Sequence, residues 1–147
     1  MKHEFTELRM FFRLYSYIRL KFVIRRAMAE HNDKGQAGEE LAAAFLSEKG
    51  YDILEKNWGF GREEIDIIAQ KDDVLVVAEV KTRSSNFFGE PEEFVNRQKQ
   101  RLLIKAANAY VEKKSLDVEV RFDILSVILS SREKKVYHIE DAFSPIA

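Results

Sequence analysis

Glu64-Ile65-Asp66-Ile67-Ile68-Ala69-Gln70-Lys71-Asp72-Asp73-Val74-Leu75-Val76-Val77-Ala78-Glu79-Val80-Lys81-Thr82 decides how this chain folds. Two apolar, β-branched runs flank the polar Lys71-Asp72-Asp73, which predicts strands over Glu64–Gln70 and Val74–Thr82 joined by a tight turn. Val74–Val80 is apolar on both faces, the pattern of a central strand covered from both sides. Its end breaks that pattern: Glu79 and Lys81 follow Leu75 and Val77 on one side. On the preceding strand, Asp66 shares a face with Glu64 and Ile68, while Ile65, Ile67 and Ala69 take the other.

Outward from this hairpin the chain reads as one α/β unit. Gly35–Glu48 is helical, with Leu41, Ala44, Phe45 and the nearby alanines making its apolar face and Gly50 to end it. Tyr51–Lys56 predicts a short strand, followed by a glycine-rich turn at Trp58-Gly59-Phe60-Gly61. Pro91 suits the first turn of a long helix running to about Lys113, with Glu92 and Glu93 at its positive end. Val118–Leu129 and Lys134–Ile139 are two more strands. The order is helix, three-strand meander, helix, strand, strand, which predicts a mixed sheet flanked by helices.

The composition narrows the chemistry. A chain of 147 residues, 46% hydrophobic and 33% charged, has the makings of an ordinary globular domain. It contains no cysteine, which excludes disulfides, thiolate metal sites and a thiol nucleophile, and fits a reducing cytoplasm. His3, His31 and His138 show no zinc spacing, and no Gly-x-x-x-x-Gly-Lys loop announces a nucleoside triphosphatase. The net charge of -1 is unevenly spread: Met1–Glu30 carries seven basic and three acidic residues. This basic segment, residues 1–33, reads as an N-terminal extension to a domain over 34–147. Its arginines interrupt any transmembrane span, and it lacks a signal-peptide core. Three readings stand side by side: a helix packed on the domain or a partner, a start-site extension with Met28 as the true beginning, or a basic amphipathic helix on anionic lipid or nucleic acid.

The site is legible in the hairpin. If Gln70 pairs with Asp73, partner numbers sum to 143; if it pairs with Leu75, they sum to 145. Either register puts Asp66 and Glu79 on one face, whereas a three-residue loop or a bulge separates them; on one face they lie roughly 5–8 Å apart, where two carboxylates repel. A magnesium ion resolves that conflict, taking one or two carboxylates along with water and phosphate oxygens. Lys81 reaches the same place. An isolated Glu-x-Lys is ordinarily a surface pair; Asp66 about a dozen residues earlier is what changes the reading. Glu39, after Gly35-Gln36-Ala37-Gly38, is explained by itself as an acid in a first helical turn, or else as a further part of the site.

Gly35-Gln36-Ala37-Gly38-Glu39-Glu40-Leu41-Ala42, Asn57-Trp58, Glu64-Ile65-Asp66, Glu79-Val80-Lys81-Thr82-Arg83, Phe88-Gly89-Glu90-Pro91 and Arg121-Phe122-Asp123 together resemble the YraN-type family. These small bacterial proteins are placed in the restriction-endonuclease-like superfamily of PD-(D/E)xK nucleases. The resemblance covers about Lys34 to Phe143, and a similar arrangement occurs in archaeal Holliday-junction resolvases. It implies a restriction-endonuclease-like core, with Asp66 and Glu79 as metal-binding acids, Lys81 as the catalytic lysine and Glu39 as the helix-borne acid completing the site. It also implies Mg2+ or Mn2+ as cofactor. The family usually has Gly-Glu-Ile-Asp where this chain has Glu63-Glu64-Ile65-Asp66, which adds a carboxylate.

A nucleic-acid partner, DNA in the first instance, would meet the cations around this site. Arg97, Arg101 and Lys105 recur every four residues opposite Leu102, Ala106 and Tyr110, and Lys99 stands among them; the stripe is a solvated face or a phosphate-binding one. Arg83 opens the loop Thr82–Glu90, where Phe87 and Phe88 stack on a base or fold back onto the core. Arg121 and Asp123 share a strand face and suit a structural pair. The expectation is a metal-dependent endonuclease acting on phosphodiesters, such as those of branched DNA, and as a homodimer if both strands are cut. The rivals are a non-catalytic nucleic-acid-binding module of the same fold and an interaction protein docking through its N-terminal helix, on a membrane surface or a partner.

Overall fold

A computed structural model of the chain describes residues 2–85, 93 and 95–145. Helix α1 runs Lys2–Glu48, followed by strands β1 (Asp52–Phe60), β2 (Glu63–Lys71) and β3 (Val74–Arg83), helix α2 (Arg97–Lys114), and strands β4 (Glu119–Leu129) and β5 (Lys134–Phe143). The chain divides into two units, Met1–Lys34 and Gly35–Ala147. In the first, Phe22, Val23 and Met28 are exposed and Arg26 pairs with Glu30 one turn on. No helix among the described residues is long and apolar enough to cross a membrane.

In the second unit the strands lie in chain order, β1-β2-β3-β4-β5. The β1–β2, β2–β3 and β4–β5 pairs are antiparallel and β3–β4 is parallel, the crossover being supplied by the segment that contains α2. This is the mixed α/β sheet expected from the sequence, and its order of elements is compatible with a restriction-endonuclease-like core. One face packs Leu75, Val77 and Ile124 under Leu103, Ala106, Ala107 and Tyr110 of α2. The other packs Val76, Ala78, Val80, Leu125 and Val127 under Ala42, Ala43 and Leu46 of α1. Strand β3 is therefore buried on both sides, which is why its sequence runs apolar without alternation.

Three local expectations are corrected. Strand β1 does not stop at Lys56: Trp58 and Phe60 stack with ring centroids 6.3 Å apart, Trp58 meets Tyr110 edge-on, and this apolar contact carries the strand to Phe60. The turn falls on Gly61 and Arg62, Gly61 taking the left-handed conformation (φ 62°) that its missing Cβ permits. On α1, Ala44 is exposed, and Ala42, Ala43 and Leu46 form the buried stripe. Helix α2 begins at Arg97, not near Pro91. Asn96 caps it, its side chain accepting from Lys99 N–H at 2.9 Å. Pro91 and Glu92 lie outside the described residues, as do Asn86, Phe87 and Phe88.

Gly38 fixes how closely α1 approaches the end of β3. A Cβ there would collide with Oγ1 of Thr82 and crowd its Cβ and Cγ2. In an open helical position Gly→Ala stabilises by about 1 kcal/mol. Here overpacking outweighs that gain, so Gly38→Ala is expected to lower the urea midpoint by an amount equivalent to about 1–3 kcal/mol. A raised midpoint would show that helix and strand have room to spare.

Candidate functional site

The β2–β3 register is Gln70↔Leu75 and Lys71↔Val74, the one whose partner numbers sum to 145. Continued past the last pair of the ladder, Ile67↔Ala78, it sets Asp66 across from Glu79. The regular pleat breaks at that point. Ile65 and Ile68, three residues apart, both pack in the layer beneath α2, so side chains do not simply alternate through Asp66. Asp66 Oδ2 instead accepts the backbone N–H of Val80, on the neighbouring strand, at 2.7 Å.

Glu79 is 4% exposed, the more buried of the two acids. Its Oε1 meets Lys81 Nζ at 3.2 Å and Lys99 Nζ, from α2, at 3.9 Å. Its Oε2 is buried and has no hydrogen-bond partner among the described residues. Lys99 also reaches Glu63 Oε2 at 3.2 Å. Burial works against the charge on Lys99, but Glu79, Glu63 and Asp66 outweigh it and hold the ammonium above its ordinary range.

Glu39 enters from α1. Asn57 Nδ2 donates to Glu39 Oε2 at 2.9 Å and to Glu64 Oε1 at 3.0 Å, tying the helix-borne acid to the start of β2. Asn57 holds a positive φ of 52° within β1, a conformation asparagine tolerates better than most residues. The cluster thus gathers Asp66, Glu79 and Lys81, with Glu39 close enough to act on Asp66 electrostatically. The sequence assigns Asn57 nothing beyond its place in the Asn57-Trp58 motif, gives Glu63 only as an added carboxylate near the site, and groups Lys99 with the phosphate-binding cations. Arg97 and Arg101 are exposed on α2, and Arg83 ends β3 half-buried.

Two carboxylates with an unsatisfied buried oxygen suit a divalent cation, which would take Glu79 Oε2 and an oxygen of Asp66. Among the described residues no three acids or histidines are gathered as a complete ligand set. Water and phosphate oxygens would have to supply the remaining positions, as they commonly do for magnesium.

Asp123, buried at the β4–β5 pairing, is a second carboxylate with the opposite environment. It accepts from Arg121 Nε at 2.9 Å, Arg121 Nη2 at 2.8 Å and Asp141 N–H at 3.0 Å, and lies 2.7 Å from His138 Nε2. Burial alone would raise its pKa, but these donors hold it below the usual carboxylate range. Arg121 and Asp123 are a structural pair.

The model of "Uncharacterised protein family UPF0102" matches residues 38–127. A UPF0102 protein of Flavobacterium psychrophilum is 57% identical over 116 residues, covering 79% of this chain and 98% of the relative. Similar proteins from Christiangramia forsetii and Bacteroides thetaiotaomicron are 51% and 48% identical, each again matched over 98% of its length and over 79% and 80% of this chain.

Burial, then the neighbouring Glu79, pushes Asp66 up to about 7, with the Val80 N–H opposing and Glu39 adding to the rise. In the unfolded chain the same carboxyl titrates near 3.8. The folded state therefore holds the proton more tightly, and metal-free stability falls as pH rises from about 4 through 7. Asp66→Asn keeps an acceptor for Val80 N–H and removes the charge. Urea denaturation from pH 5 to 8 should show the variant gaining on the wild type with pH, by on the order of 2–4 kcal/mol at the upper end. A difference that stays flat across that range would mean the two acids are not crowded.

Proposed function

The chain belongs to the UPF0102 family, and we propose that it is a divalent-metal-dependent nuclease, hydrolysing phosphodiester bonds of nucleic acid at the end of the β2–β3 hairpin. The observation that carries this reading is Glu79 Oε2, a buried carboxylate oxygen with no hydrogen-bond partner among the described residues, beside an Asp66 whose carboxyl is driven toward the neutral form. Repelling acids in a half-closed site are costly to keep unless a cation is to be bound there.

Asp66 and Glu79 would hold the metal. A bound Mg2+ or Mn2+ supplies a Lewis acid for a phosphate oxygen and lowers the pKa of a coordinated water. Lys81, anchored on Glu79 at 3.2 Å, would orient the attacking water and face the charge that grows on the phosphoryl group. Glu39, held by Asn57, would accept hydrogen bonds from water around the metal. The exposed stripe of Arg97, Arg101 and Lys105 on α2 would take backbone phosphates. The same stripe also favours the second reading, a nucleic-acid-binding module without turnover.

Calorimetric titration of Mg2+ or Mn2+ into the wild type and Asp66→Ala/Glu79→Ala separates the two readings. The wild type is expected to bind and the double variant not to. Asp66→Ala should also cut metal-dependent cleavage of branched or single-stranded DNA at least 10²-fold, while leaving or improving DNA binding. Absence of metal binding even with an uncleavable oligonucleotide present would leave the binding module as the better account.

A further inference from the structure

Lys99 occupies the first turn of α2, where the helix dipole presents positive charge, and no acidic residue stands in that turn. Arg97, Lys99 and Arg101 crowd cations into an end of the helix that favours anions. Lys99 differs from the other two in being turned to the carboxylates. Its ammonium lies 3.2 Å from Glu63 Oε2 and 3.9 Å from Glu79 Oε1, and its side chain keeps 31% exposure. Its backbone is fixed from both sides of the cap: Asn96 accepts from Lys99 N–H, and Gln100 Nε2 donates to Val95 O at 2.9 Å.

Glu79 Oε1 therefore carries ammonium groups from two different elements, Lys81 on β3 and Lys99 on α2. One cation suffices to balance one carboxylate. Lys99 has three N–H donors, of which Glu63 takes one; Glu79, at 3.9 Å, is at ion-pair and not hydrogen-bond distance. Donor capacity is thus left for an anion arriving beside Asp66 and Glu79. Resting on the nuclease reading above, we propose that Lys99 is a second phosphate-binding cation of this site, taking a non-bridging oxygen of the scissile phosphodiester, and that Glu63 is a positioning residue that holds the ammonium beside Glu79.

In the reaction the water oxygen bonds to phosphorus as the P–O bond to the leaving oxygen breaks. The water's proton passes to solvent, and the leaving oxygen takes one up from solvent. Lys99 faces the charge on the phosphoryl oxygen and neither gains nor loses a proton.

The test compares Lys99→Gln, Lys99→Arg and Glu63→Gln with the wild type. It reads Mg2+ affinity by calorimetry, and kcat and KM with Mn2+ on a fluorescein-labelled four-way DNA junction and a labelled single-stranded oligonucleotide. Lys99→Gln removes a cation beside a metal-binding acid, so it should tighten Mg2+ binding about 2–10-fold while lowering kcat 10²-fold or more. Lys99→Arg should recover kcat to within about 10-fold of wild type, and Glu63→Gln should lower it about 3–10-fold. Tighter metal binding with slower turnover is a combination that a lysine serving only the fold does not produce. The proposal is overturned if Lys99→Gln cleaves as the wild type does, or if metal affinity and turnover fall together. Should Lys99→Gln fail to fold, an unchanged kcat in Glu63→Gln overturns it instead. A wild type that neither binds Mg2+ nor cleaves fails the nuclease reading and this proposal with it, whereas an active wild type with unaffected variants fails the proposal alone.

Discussion

Like charges do not stay together in a protein unless the backbone gives them nowhere else to go. Strand β3 is buried on both faces, paired with β2 on one side and with β4 on the other, so Glu79 cannot leave its position without dismantling the sheet. Asp66 is pinned in turn by the Val80 N–H. The sheet thus stores an electrostatic conflict between the two acids, and the surrounding polar groups are arranged about it: Lys81 from the same strand, Lys99 from α2, and Asn57 restraining Glu39. Stability made elsewhere, in two apolar layers, holds the acids in place.

Asp123 shows what this fold does with a buried carboxylate that has only a structural task. Four donors converge on it, two from Arg121, one from the Asp141 backbone and one from His138. Since a carboxylate only accepts, His138 must carry its proton on Nε2. The result is a carboxylate held charged and saturated. Glu79, equally buried to within a few per cent, has one oxygen with no donor and a neighbour of its own sign. The chain is able to satisfy an interior acid fully and does so on β4. The incomplete satisfaction on β3 is therefore informative about what that site is for.

The sheet and its order were legible because hydrophobic pattern depends on burial, and burial by two helical layers leaves an unmistakable apolar run at Val74–Val80. Asp66, Glu79 and Lys81 were legible for the same reason, as polar groups where such a run should not have them. The limits of the elements were less so. Trp58 and Phe60 extend β1 through contacts with each other and with Tyr110, about fifty residues away, and no local reading of the glycines beside them reveals that. Pro91 and two acids satisfy the local rules for a helix N-terminus, and Glu93 is indeed helical, but the long helix α2 is separated from it by Val95 and Asn96, and its cap is Asn96. Asn57 and Glu63 act across strands and helices, Asn57 bridging acids from α1 and β2, Glu63 meeting a lysine of α2. Such bridges are properties of the tertiary structure and have no periodicity to betray them.

Departures from local preference gather around two buried carboxylates of the sheet, Glu79 and Asp123. Among the described non-glycine residues with positive φ, Asp72 turns a hairpin, Ser115 closes α2, and Asp141 delivers its N–H to Asp123. Asn57 and Asp141 both lie within strands, and the Asn57 amide joins Glu39 to Glu64. The broken alternation at Asp66, the orphan oxygen of Glu79 and the cations at the positive end of α2 fall in the same neighbourhood. The register shift between Phe122 and Ile124 and the buried Nδ1 of His138, without a hydrogen-bond partner among the described residues, fall beside Asp123. The difference lies in the carboxylates themselves: Asp123 is saturated by donors, while Glu79 keeps one oxygen without a hydrogen-bond partner among the described residues, next to an acid of its own sign.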